Sequence, residues 1–78
     1  VLTNANLAGS VMRMADLRGA NLRKANLSGS LMGGAVLRGA NVAEADFTGV
    51  NLDTTTVVNA NFSQAINVNM PEYKKGWH

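Results

Sequence analysis

Residues 16–29 read DLRGANLRKANLSG, and within them a small residue, an Asn and a Leu return every five positions, as Ala20-Asn21-Leu22 and Ala25-Asn26-Leu27. A step of five suits neither common element. On a helix it advances about 500° at about 100° per residue, which scatters Leu17, Leu22 and Leu27 around the axis. On a flat strand an odd step sends successive members to opposite faces.

A chain that turns a corner every five residues buries the whole set. Each unit then points its central residue, and the small residue two before it, toward a common axis, while the other three face outward. Four such sides close a coil of twenty residues, which predicts a second period of twenty. The sequence has one: residues 9–28 align with 29–48 without gaps, ten of the twenty positions are identical, and LRGAN recurs at 17–21 and 37–41. Repeats at fixed spacing are the signature of a solenoid, and a five-residue corner makes this one a β-helix.

The predicted core ladder is Leu7, Met12, Leu17, Leu22, Leu27, Met32, Leu37, Val42, Phe47, Leu52, Val57 and Phe62, with Leu2 before it and Asn67 breaking the series. Nine of the fourteen small positions from 5 to 70 are Ala. Ser10 and Ser30 fit that slot, whereas Val50, Thr55 and Met70 are bulkier and are expected to distort or close the coil. Gly9, Gly19, Gly29, Gly34, Gly39 and Gly49 share one phase, where a corner asks for a permissive backbone.

Ala5-Asn6-Leu7, Ala15-Asp16-Leu17, Ala20-Asn21-Leu22, Ala25-Asn26-Leu27 and Ala45-Asp46-Phe47 resemble the A-(D/N)-L-X-X units of the pentapeptide-repeat family. The resemblance covers about residues 1–70 and implies an all-β fold, a right-handed quadrilateral parallel β-helix of three to four coils of about 20 residues. It implies little about function, because the family is defined by its scaffold. Members include gyrase-protecting DNA mimics, lumenal and cytoplasmic cyanobacterial proteins, secreted effectors and modules attached to other domains.

The chain divides into repeats over 1–70 and a capping tail over 71–78, in which Pro71 cannot donate to a ladder. Met70, Tyr73 and Trp77 suit a lid over the last coil. The N-terminal end has no such device, so an end-to-end homodimer is one expectation. The chain starts at Val1, inside a repeat, and reads as a fragment or processed product. Its compartment stays open: cytoplasmic, or periplasmic or thylakoid-lumenal if an upstream leader was removed. With no Cys there is no disulfide framework and no Cys-based metal site, and no apolar run approaches a membrane span.

Residues 1–40 carry Arg13, Arg18, Arg23, Lys24 and Arg38 against Asp16, whereas residues 41–78 carry Lys74 and Lys75 against Glu44, Asp46, Asp53 and Glu72. The twenty-residue period sets Arg18 beside Arg38 and Lys24 beside Glu44. It also stacks Asn21, Asn41 and Asn61 in one column and Asn26 with Asp46 in another, where side-chain amides can hydrogen-bond along a ladder. Val11, Leu31 and Val36 stand where Asn or Asp is usual, with Met14 nearby. An outward apolar patch can mark a contact surface.

The residue inventory argues against an enzyme. The one His is His78, Ser10 and Ser30 point inward without a base, and the carboxylates are spread over different faces. No cofactor motif or metal spacing is present. Nucleic-acid binding lacks a stacking platform, since Phe47 and Phe62 point inward. The best reading is a non-catalytic module that binds a protein partner. Its candidate contacts are Val11, Met14, Leu31 and Val36 and the Arg18–Arg38 stripe. The alternative is a DNA mimic that binds gyrase, which needs an acidic rod, whereas this chain is net +2. Asn26-Leu27-Ser28 and Asn61-Phe62-Ser63 match the glycosylation sequon, a triplet the repeat generates by chance.

Overall fold

Every five-residue unit closes a β-turn. The computed structural model describes residues 2–69. In it the Ala20 N–H donates to the Leu17 carbonyl at 3.0 Å and the Ala40 N–H to the Leu37 carbonyl at 2.8 Å, and the pattern recurs along the chain. Except at Thr54, the third turn residue is left-handed, as a type II turn requires. Glycine fills that place at Gly19 (φ 66°) and Gly39 (φ 68°) without steric cost. Asn4, Met14, Lys24, Glu44, Asn59 and Gln64 hold the same conformation at φ 59–63°. The permissive-glycine phase is therefore a corner phase, and the surrounding ladder also imposes it on residues that dislike it.

Between corners a single residue bridges the neighbouring coil, always in parallel and always twenty residues away. The bridges fall on four lines. One joins Asn6, Asn26, Asp46 and Ile66; one joins Val11 and Leu31; one joins Asp16, Val36 and Thr56; one joins Asn21, Asn41 and Asn61. A bridging residue turns its own N–H and C=O back to the preceding coil. Thus the Asn41 N–H donates to the Ala20 carbonyl (2.9 Å) and its carbonyl accepts from the Leu22 N–H (2.7 Å). This pattern satisfies backbone groups that burial would otherwise leave unpaired.

The core lies on the axis of these coils. Leu22, Leu27, Met32, Leu37, Val42, Phe47, Leu52 and Val57 are buried, and Ala25, Ala35, Ala40, Ala45 and Ala60 fill the small slots beside them. Each such Leu is worth about 1.5–3 kcal/mol against its exposed state. Leu7, Met12, Leu17 and Phe62 are half-buried against this cluster, and Leu2 is exposed. Phe62 still packs its ring against Phe47, centroids 5.3 Å apart and the planes tilted by 44°.

The series ends by a slip of one residue. Asn67 takes a left-handed conformation (φ 53°) and turns outward, where its amide donates to the Thr48 hydroxyl. Val68 packs against the core instead. The capping residues expected at Met70, Tyr73 and Trp77 lie outside the described residues.

Candidate interaction surface

The usual Asn or Asp of each unit has a local task. Its side-chain oxygen accepts the backbone N–H two residues on: Arg23 N–H to Asn21 Oδ1 (3.2 Å), Ala43 N–H to Asn41 Oδ1 (3.1 Å), Ser63 N–H to Asn61 Oδ1 (2.9 Å). Asn26 and Asp46 do the same for Ser28 and Thr48, and accept their hydroxyls as well. These are Asx turns. The columns of Asn21, Asn41 and Asn61 and of Asn26 and Asp46 do stack, but each side chain bonds along its own turn rather than up the ladder. The turn N–H is two residues away and already aimed at the oxygen, whereas the next amide lies a coil away.

Val11, Leu31 and Val36 supply no such acceptor. Replacing Asn there forfeits a hydrogen bond worth about 0.5–1.5 kcal/mol. Val11 and Leu31 bridge each other and are 69% and 44% exposed. Met14, in the next corner, is 78% exposed and lays its thioether over Gly34, where any Cβ would strike it. Val36 belongs to the adjacent side, between Asp16 and Thr56, and is half-buried. The four candidate apolar contacts therefore wrap a corner instead of sharing one flat face.

Arg18 and Arg38 differ. Arg18 grips Asp16 through two parallel bonds, Nε to Oδ1 at 2.8 Å and a terminal nitrogen to Oδ2 at 2.7 Å. That grip, with the Arg18 N–H adding to it, holds the exposed Asp16 carboxyl at about 2, below its ordinary 3.8, and raises Arg18. Thr48 lowers Asp46 similarly, its hydroxyl first and its N–H second. Arg38 has Val36 where Arg18 has Asp16, and it makes no ion pair among the described residues. The stripe thus reduces to one uncompensated cation. Glu44 pairs with Arg23 at 3.1 Å and not with Lys24. Lys24 and Glu44 both sit at left-handed corners, and it is the long guanidinium one residue earlier that reaches the carboxylate.

The ladder has one gap. The twenty-residue rule calls for a Leu31–Asn51 bridge, and none forms. Among the described residues, the N–H groups of Met32 and Asn51 and the carbonyls of Ser30 and Asn51 make no hydrogen bond. Two features hold the coils apart. Thr54 stands at a left-handed corner position but is not left-handed, because a β-branched residue resists that conformation. Val50 and Thr55 fill slots that elsewhere hold Ala or Ser, and both are fully buried. The distortion expected of Val50 and Thr55 is located here. Two hydroxyls mend part of it: Thr54 Oγ1 accepts the Gly34 N–H (3.1 Å) and Thr55 Oγ1 donates to the Met32 carbonyl (2.9 Å). A cleft of about 350 Å³ remains, bordered by Ser30, Leu31, Met32, Asn51 and Thr54, with Arg13 and Asp53 among its charged lining. Ser30 is 2% exposed, and its hydroxyl has no partner among the described residues. Of these residues only Arg13, Asp53, Ser30 and Leu31 stand out in the sequence by charge or slot. The signal for the gap is a Thr in the glycine phase.

No group of three or more His, Cys, Asp or Glu able to hold a metal occurs among the described residues. No helix among them is long and apolar enough to cross a membrane.

The sequence profile of pentapeptide repeats matches in eight copies, over residues 1–39 and 30–66. No curated protein matches the sequence. Among solved structures, the chain is similar to HetL of the cyanobacterium Nostoc, a pentapeptide repeat protein involved in the regulation of heterocyst differentiation. Identity is 25%, the TM-score is 0.55, and the match covers 83% of this chain and 37% of HetL. A pentapeptide repeat protein of the Arabidopsis thaliana thylakoid lumen matches at 24% identity and a TM-score of 0.37, over 85% of this chain and 57% of that one. A second Nostoc pentapeptide repeat protein matches at 26% identity and a TM-score of 0.34, over 81% of this chain and 60% of that one. The chain thus spans about a third to three-fifths of the length of these relatives.

Proposed function

The chain belongs to the pentapeptide-repeat family, whose known structures are right-handed quadrilateral β-helices, and we propose that it is such a helix serving as a non-catalytic protein-interaction module. The contact surface is the side of Val11 and Leu31 with the corner of Met14, extended by Val36 and the free charge of Arg38. One observation carries this reading: at Val11, Leu31 and Val36 the chain gives up the Asx turn that eight Asn and Asp residues make in the same slot, and it sets neighbouring apolar groups there in its place, whereas the exposed Ile66 stands on another side. The acidic rod that a DNA mimic needs has no support on the described faces, where Asp16 is tied to Arg18 and Glu44 to Arg23.

The test is a comparison of two baits in lysate of the source organism. The wild-type module is expected to retain a protein that Leu31→Glu loses, with the β spectrum unchanged. Equal retention by both would remove this side from contention.

A further inference from the structure

We propose that the cleft at the Leu31–Asn51 gap receives a peptide group from the main chain of a partner protein. This deepens the interaction-module reading and rests on it for the existence of a partner.

The unpaired groups define the ligand. The gap leaves two donors, the N–H groups of Met32 and Asn51, and two acceptors, the carbonyls of Ser30 and Asn51. The Ser30 hydroxyl, nearly wholly buried at the cleft, can donate or accept. An anion would satisfy the donors but face the two carbonyls. A cation would meet the reverse conflict, the two N–H groups, and the rim offers no net charge to offset it, since Arg13 and Asp53 both stand there. A peptide group carries one acceptor and one donor, and so it answers both edges at once. These are the bonds by which a strand adds to an open sheet edge.

The opening admits a group and not a whole strand. Asn26–Asp46 and Val36–Thr56 bridge the same two coils on the sides that flank it, so the coils part only along this one side. A partner loop therefore dips one peptide unit into the gap while its neighbouring side chains lie along Leu31, Val11 and Met14. Thr54 helps to hold the site open, since its hydroxyl takes the Gly34 N–H that elsewhere donates to a carbonyl of the next coil.

The experiment titrates the ¹⁵N-labelled chain with N-acetylglycine N-methylamide, an uncharged molecule with two peptide groups, and in parallel with sodium acetate. The expected result is saturable shifts of the Met32 and Asn51 amide signals with the diamide and none with acetate. The same shifts should be lost in the Thr54→Gly/Thr55→Ala variant, whose gap is closed. Shifts produced by acetate would overturn the proposal in favour of an anion site at Arg13. No shifts with either probe would also overturn it and leave water as the occupant. Because the titration needs no partner, its failure leaves the bait comparison untouched, and a failed bait comparison leaves the titration standing.

Discussion

Leu31 and Asn51 stand one coil apart on the same side of the molecule and do not bridge, although the eight other residue pairs related by twenty along the four lines do. The cause is local. Thr54 declines the left-handed corner, and Val50 and Thr55 bring β-branched bulk into slots that are small elsewhere. A chain that varies its repeat at so few places changes its hydrogen bonding only at those places.

Restoring the common corner should close the ladder. Thr54→Gly/Thr55→Ala makes residues 51–55 read NLDGA, close to the units around Gly19 and Gly39. Two or more ladder bonds return, at about 0.5–1.5 kcal/mol each. A glycine costs about 0.5–1 kcal/mol in unfolded-state entropy. Against the returning bonds also stands the loss of the Thr54–Gly34 and Thr55–Met32 hydroxyl bonds. The variant should therefore stay within about 1 kcal/mol of the wild type in urea denaturation, where a larger loss of stability would show that the gap has another cause.

The corner conformation can be tested where space is not a factor. An added Cβ at Gly19 would meet nothing within 4 Å, yet its φ is +66°. Gly19→Ala should therefore destabilise by about 1 kcal/mol through the backbone alone, since the left-handed region costs an L-residue roughly 1–2 kcal/mol. Gly34→Ala should cost more, because it must also displace the Met14 thioether. Equal thermal midpoints for the wild type and Gly19→Ala would refute the assignment.

The inward ladder predicts an asymmetry between adjacent residues. Leu22 is fully buried, and Leu22→Asp should abolish the cooperative transition because it buries a charge without a partner. Arg23→Asp breaks a surface pair with Glu44 and should leave the circular dichroism spectrum intact. Equal tolerance of both changes would contradict the five-residue register.

Asp16 gives a pH test with a definite sign. Its carboxyl in the folded chain sits at about 2, below the ordinary 3.8, chiefly because Arg18 donates to it. A depressed carboxylate favours the folded state above its ordinary value, and that contribution fades as the pH falls from about 4 through about 2. Carboxyl titration by NMR should find Asp16 near 2 in the wild type and closer to 3.8 in Arg18→Ala. No movement in the variant would mean that the pair does not form in solution.

Much of this was legible in the residues. The five- and twenty-residue periods are written as residue types, so the inward series from Leu7 to Phe62 and the glycine corners follow from pattern alone. The columns of Asn21, Asn41 and Asn61 were visible as columns. Their Asx turns were not, because the period gives neighbours and not the direction of a side chain. Arg23 and Lys24 compete for Glu44 within reach of one corner, and only the rotamers decide between them. The gap at Leu31 was half legible: Val50 and Thr55 announce bulk, but the refusal of Thr54 to turn left-handed is a backbone fact. The orphaned Ser30 hydroxyl follows only once the coils are placed.

The most direct test of the account is amide exchange at Met32. The Leu22, Leu27 and Leu37 N–H groups donate to the next coil at 2.7–2.9 Å, whereas the Met32 N–H has no acceptor among the described residues. The account predicts that Met32 exchanges much faster than these three counterparts and becomes protected in Thr54→Gly/Thr55→Ala. Protection of Met32 equal to that of Leu27 and Leu37 in the wild-type chain would mean that the ladder is closed, and the open side described here would not exist.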